Sequence, residues 1–205
     1  VLDEFVLYLR LGFHHIADLA GYDHILFVTA LAIPYAVRDW RRLAILVTAF
    51  TVGHSATLAL ATLRMVSVPT SLVEALIPAT ILVTALVAWR ETRVAPDGIT
   101  EAVRSEPRRV VAVPASRYLL AALFGLIHGL GFSSYLRSLL GQEESIALPL
   151  FAFNVGLEVG QLLILSVVLA VGALVVRTLM SRRRWLQLLV GVTATLSLML
   201  LVQRI

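Results

Sequence analysis

Residues 21–34 read Gly21-Tyr22-Asp23-His24-Ile25-Leu26-Phe27-Val28-Thr29-Ala30-Leu31-Ala32-Ile33-Pro34. An acid and an imidazole stand side by side at the mouth of an apolar run. Just upstream lies a second pair, His14 and His15, and downstream His54 and His128 each sit alone inside later apolar runs. Those four places hold all five histidines of the chain, and none reads as a loop position. Imidazoles placed inside apolar segments are costly to bury alone, so the pattern points to one shared site inside a membrane protein.

Composition supports that class. The chain of 205 residues is 59% hydrophobic and 15% charged, against about 45–50% and about 25% for soluble domains. The apolar residues come in blocks of about 20, the length that spans a bilayer as a helix. The expected fold is all-α: a polytopic membrane helix bundle forming a single transmembrane domain over residues 1–205. Cysteine is absent, which excludes disulfides and thiolate metal sites. Lysine is absent too, so the net charge of +4 rests on arginine. Such an excess sets orientation and meets anionic headgroups of the lipid bilayer, and it does not imply nucleic-acid binding.

Read in order, residues 1–16 carry Phe5, Leu9, Phe13 and Ile16 at helical spacing. They predict a short amphipathic helix on the membrane surface, leading into six transmembrane helices. The spans are expected near residues 21–37, 43–63, 70–89, 116–135, 149–176 and 185–202. Pro78 interrupts the third, and Pro149 opens the fifth. Residues 90–115 form the only long polar loop. The turns after spans one, three and five hold 13 of the 17 arginines, so these turns are expected to be cytoplasmic and both termini outside. The placement is multi-pass, and self-association is compatible with it.

Counted along these spans, Asp23, His24, His54, His128 and Glu158 fall between the outer surface and the midplane. The simplest way to hold them there is a divalent cation bound by His15, Asp23, His24, His54, His128 and Glu158. Nitrogen and oxygen donors without sulfur suit nickel, cobalt, zinc or ferrous iron. His15 is a better ligand than His14 by position, a choice the sequence leaves open. Asn154, Glu158 and Gln161 share a helix face at i, i+4, i+7. Ser55 lies beside His54; His14, Ser55, Asn154 and Gln161 are expected to support ligands rather than to bind metal. Gly125 and Gly129 flank His128 and permit close helix approach.

Bland readings stand beside each. Asp23 can cap a helix, and Glu74 fits a capping box with Ser71. A buried histidine can be hydrogen-bonding glue between helices. Two chemical readings compete beyond that. One is a permease in which the ion passes from His15, Asp23 and His24 to His54, His128 and Glu158. The other is an intramembrane zinc-type hydrolase, with Glu158 as general base and Ser55 or Asn154 polarising a carbonyl.

Five stretches in order carry a resemblance: His14-His15-Ile16-Ala17-Asp18-Leu19-Ala20-Gly21-Tyr22-Asp23-His24, Thr51-Val52-Gly53-His54-Ser55, Val73-Glu74-Ala75-Leu76-Ile77-Pro78, Gly125-Leu126-Ile127-His128-Gly129 and Phe153-Asn154-Val155-Gly156-Leu157-Glu158-Val159-Gly160-Gln161. The chain resembles the HupE/UreJ family of small bacterial membrane proteins, in a divergent branch. The resemblance implies an inner-membrane protein that handles nickel or cobalt, with His15, Asp23, His24, His128 and Glu158 matching family signature positions. The eight-residue step from His15 to Asp23 is longer than in the better-known permeases of the family.

Overall fold

A computed structural model describes residues 2–94, 115–140 and 146–205. Among these residues the regular elements are all helices. The elements are α1 (Leu2–Ala17), α2 (Asp23–Ala32), a 3-10 turn (Val37–Asp39), α3 (Trp40–Thr62), α4 (Thr70–Val94), α5 (Ala115–Leu140), α6 (Ala147–Thr178) and α7 (Arg182–Gln203). Five helices, α3 to α7, are long and apolar enough to cross a membrane. The chain is therefore a multi-pass helical membrane protein. The expected polar loop over residues 90–115 lies mostly outside the described residues, and α4 itself runs on to Val94.

The starts of α3, α5 and α7 meet the ends of α2, α4 and α6 at one end of the bundle. Arg117 at the start of α5 pairs with Glu91 near the end of α4. Arg182 at the start of α7 donates to the Pro34 carbonyl just past α2. Among the described residues this end collects most of the arginines, and the other end is arginine-poor.

The N-terminal region departs from expectation. A helix forms over Leu2–Ala17, but it packs along α6 instead of lying apart on a surface. The Phe5 ring meets the Phe151 ring. A methyl added at Gly12 would strike the Phe153 carbonyl, and one at Gly156 would strike the Leu9 carbonyl. Contact positions advance together along both helices, so α1 and α6 run parallel. The sequence could not separate the two placements, because one apolar stripe serves a bilayer or a neighbouring helix equally well.

The expected first span, residues 21–37, is not one crossing helix either. α2 has ten residues, about 15 Å of helix, and Pro34 follows its end. It runs antiparallel to α7, with Asp23 facing Arg204 at one end and Pro34 facing Arg182 at the other. α1 and α2 therefore point the same way, from the arginine-poor end to the arginine-rich end. They follow one another in the same direction, with a break at residues 18–22.

The α3–α5 pair is as close as α1–α6, and for the same reason. Methyls at Gly53, Gly125 and Gly129 would collide with the backbones of Ala122, Phe50 and His54 respectively. Bare glycine surfaces let helix backbones touch, which is how membrane helices gain packing without a hydrophobic driving force. Thr57 Oγ1 adds a cross-helix bond to the Leu126 carbonyl at 2.7 Å. Phe27, Phe50, Leu46, Ile81 and Ala121 form the apolar core on the arginine-rich side of the buried histidines. Leu58, Leu136, Phe153 and Leu157 form a second core on the arginine-poor side.

Candidate metal centre

Four helices each bring one imidazole to the middle of the bundle. His15 comes from the last turn of α1 and His24 from the first turn of α2, so the break between these helices places them against each other. Their ring centres are 4.7 Å apart. His54 from mid-α3 lies 5.9 Å from His15 and 6.0 Å from His24. His128 from mid-α5 lies 5.1 Å from His24. His54 and His128 are 0% and 1% exposed, and His24 is 5% exposed. Aromatic rings close the surroundings: Phe132 packs on His15 at 3.9 Å, and Phe27 and Phe50 flank His128 at 5.0 and 5.2 Å.

Hydrogen bonding fixes two tautomers. Asp23 Oδ1 accepts from His24 Nδ1 at 3.0 Å and from the His24 backbone N–H at 2.9 Å. A carboxylate only accepts, so Nδ1 carries a proton, and in the neutral ring the lone pair is then on Nε2. Thr80 Oγ1 donates its one proton to the Ile77 carbonyl at 2.7 Å. It can then only accept from His128 Nε2, 2.9 Å away, which leaves the lone pair on His128 Nδ1.

The nitrogens left over have no hydrogen-bond partner within the protein. They are His15 Nε2, His24 Nε2, His128 Nδ1 and both ring nitrogens of His54. Buried polar atoms are nearly always satisfied, so a group of orphans in one place calls for a ligand or water. Imidazoles sharing one tetrahedral ion through bonds of about 2.0–2.1 Å have ring centres roughly 5 Å apart. His24 stands at that spacing from His15 and from His128, while His54 is about 1 Å further from His15 and His24. Among the described residues, however, no three His, Asp or Glu side chains enclose a single point as they stand. The imidazoles are neighbours without a shared coordination point in this arrangement.

The carboxylates are placed differently. Asp23 is committed to His24 on one oxygen, and its other oxygen lies 3.6 Å from Arg204. It is positioned to orient an imidazole. Glu158 is not brought to the histidines: its carboxylate accepts from Thr48. Thr48 lies six residues along α3 from His54 toward the arginine-rich end, about 9 Å of helix. One turn along, Thr51 donates to Gln161 at 2.7 Å. Thr48 and Thr51 thus meet Glu158 and Gln161 as a two-rung polar ladder between α3 and α6. Glu158 Oε2, Gln161 Nε2 and Asn154 Oδ1 are buried without partners. Ser55 bonds to its own helix at the Thr51 carbonyl. His14 is exposed and does not join the other four rings.

A cavity of about 550 Å³ opens beside His15, lined by Leu11, His14, Asp18, Leu19, Phe132 and Tyr135 among others. Leu11 and His14 precede His15, and Phe132 and Tyr135 follow His128, so the cavity lies on the arginine-poor side of the imidazoles. Thr80, Arg204 and Thr48 were not foreseen from the sequence. The signal for Thr48 was present: Thr48 and Thr51 repeat the three-residue step of Glu158 and Gln161.

No curated protein and no solved structure matches this chain. The sequence model of the HupE / UreJ protein family matches residues 1–204, essentially the whole chain, and the protein belongs to that family.

Proposed function

We propose that the protein is a permease for a divalent transition-metal ion of the nickel or cobalt kind, carried as cargo through the histidine cluster. The observation that carries this reading is the meeting of four imidazoles from four helices, each with a ring nitrogen left without a protein partner. The spacing of His24 from His15 and from His128 suits one ion with nitrogen donors. His15, His24, His54 and His128 are its ligands; Asp23 and Thr80 hold two of them in the binding tautomer. Such outer hydrogen bonds orient ligands and raise their basicity. Membership of the HupE/UreJ family supports nickel or cobalt over zinc.

The arginine-rich end faces the cytoplasm of a bacterial inner membrane, by the excess of positive charge there. The cavity beside His15 then admits the ion from outside. The start of α1 and the end of α7 share the arginine-poor end, which puts both termini outside. The Glu158–Thr48 and Gln161–Thr51 ladder, with its unpartnered oxygen and nitrogen, offers the next polar contact inward. A hydrolytic reading needs a carboxylate base beside metal-bound water, and the turn of Glu158 toward Thr48 does not favour it.

Isothermal titration of the purified, detergent-solubilised protein with nickel, cobalt and zinc tests the proposal. One equivalent per chain is expected, with affinity lost in His54→Ala and His128→Ala. Unchanged binding in both variants, or none in wild type, overturns it.

A further inference from the structure

The two tight helix pairs are copies of one another. In α3 the sequence reads Ala49-Phe50-Thr51-Val52-Gly53-His54-Ser55; in α6 it reads Ala152-Phe153-Asn154-Val155-Gly156-Leu157-Glu158. Ala, Phe, Val and Gly coincide in register. Gly12 in α1 precedes His15 by three residues and Tyr22, in the break before α2, by ten; Gly125 in α5 precedes His128 and Tyr135 by the same steps.

The contacts repeat with the sequence. A methyl at Gly12 would meet the Phe153 oxygen and the Leu157 nitrogen; one at Gly125 would meet the Phe50 oxygen and the His54 nitrogen. A methyl at Gly156 would meet the Leu9 oxygen and the Phe13 nitrogen; one at Gly53 would meet the Ala122 oxygen and the Leu126 nitrogen. A shift of 113 carries Leu9, Gly12 and Phe13 onto Ala122, Gly125 and Leu126. A shift of 103 carries Phe50, Gly53 and His54 onto Phe153, Gly156 and Leu157. α1 and α5 run in opposite directions, as do α3 and α6. The axis relating the copies therefore lies across the helices, in the plane of the membrane.

A symmetric frame should offer the ion both ends equally, and this one does not. On the arginine-poor side the cavity beside His15 measures about 550 Å³ and includes Leu11. The 113-residue shift carries Leu11 onto Phe124. Phe124 lines a cavity of only about 20 Å³ on the arginine-rich side, with Leu31, Thr84 and Arg117. That side is fastened. Arg117 makes two bonds to Glu91, at 2.8 and 2.6 Å, and its guanidinium lies over the Tyr35 ring at 5.6 Å. A paired, nearly buried charge of this kind holds only while the helices stay together.

We infer that α1 to α4 and α5 to α7 are inverted halves of an alternating-access carrier, and that the Arg117–Glu91 clamp is the gate that shuts its arginine-rich side. The described state opens to the arginine-poor side. In the alternate state the clamp parts, the space around Phe124 opens, and the cavity beside His15 closes. Inverted repeats around a site at broken helices are a recurrent carrier architecture. The inference rests on the permease reading and adds the conformational cycle and its gate to it.

The absence of cysteine makes the test direct. Single variants Tyr135→Cys and Phe124→Cys are placed in the full chain in oriented membrane vesicles. A membrane-impermeant maleimide is applied from either side. In the otherwise wild-type chain, Tyr135→Cys labels from the arginine-poor side and Phe124→Cys is protected. Adding Glu91→Gln should raise Phe124→Cys labelling several-fold from the arginine-rich side and lower Tyr135→Cys labelling together with it. The charge-exchanged pair Glu91→Arg with Arg117→Glu should restore the first pattern. Phe124→Cys rising while Tyr135→Cys stays unchanged would overturn the alternation, since it means local loosening. Continued protection of Phe124→Cys would overturn the gate. Labelling needs no metal, so this outcome is separate from loss of metal binding in the titration.

Discussion

Thr80 sets the tautomer of His128. Its hydroxyl donates to the Ile77 carbonyl one turn back and accepts from His128 Nε2 at 2.9 Å, leaving Nδ1 free for an ion. Pro78, two residues earlier in α4, has no N–H and leaves the Glu74 carbonyl without its usual helical donor. Thr80 stands two residues past that proline, buried against His128. Thr80→Val should lower metal affinity about 10-fold, within the range seen for outer partners of metal-bound histidine. Thr80→Ser keeps the hydroxyl and should stay near wild type. Calorimetric titration of the two variants reads the difference.

Asp23 does the same for His24. Asp23→Ala removes the acceptor that holds Nδ1–H, and affinity should fall about 10- to 100-fold. The loss should not add to that of His24→Ala, since both variants disable one ligand. Additive losses, measured by titration across the double-variant cycle, would make Asp23 a ligand in its own right.

Glycine positions divide by what they touch. Gly12→Ala and Gly125→Ala push a methyl into the backbone of a neighbouring helix and should each destabilise the fold by about 1–3 kcal/mol, the usual cost of overpacking. Gly191→Ala meets nothing within 4 Å. It should be neutral or stabilising by up to about 1 kcal/mol, since alanine is the better helix former. Thermal unfolding in one detergent compares the three.

The Thr51–Gln161 bond joins α3 to α6 at 2.7 Å. A double-mutant cycle with Thr51→Val and Gln161→Leu should give a coupling of about 0.6 kcal/mol, the average for such bonds between membrane helices. Equilibrium unfolding of the four proteins measures it.

Much of this was legible in the sequence because depth along an apolar span is a matter of counting. His54 and His128 stand near the middle of long runs and Asp23-His24 opens one, so their meeting followed from residue number and helical rise. Direction around a helix axis did not follow as easily. Glu158 has a fitting depth on α6 but turns to Thr48, since depth does not say which neighbour a side chain faces. The course of α1 was hidden for a related reason. Phe5, Leu9 and Phe13 mark an apolar stripe, and only Gly12, set against Gly156, betrays that the stripe meets a helix. The break at residues 18–22 was signalled by Asp18 and Gly21, yet a short amphipathic lead-in would use the same residues.

The central claim is that His15, His24, His54 and His128 bind one ion together. Nickel titration of wild type beside His14→Ala, His15→Ala, His24→Ala, His54→Ala and His128→Ala tests it most directly. The account predicts one equivalent in wild type and in His14→Ala, with affinity reduced at least 10-fold in each of the other four. Wild-type binding in any two of those four would contradict a shared site.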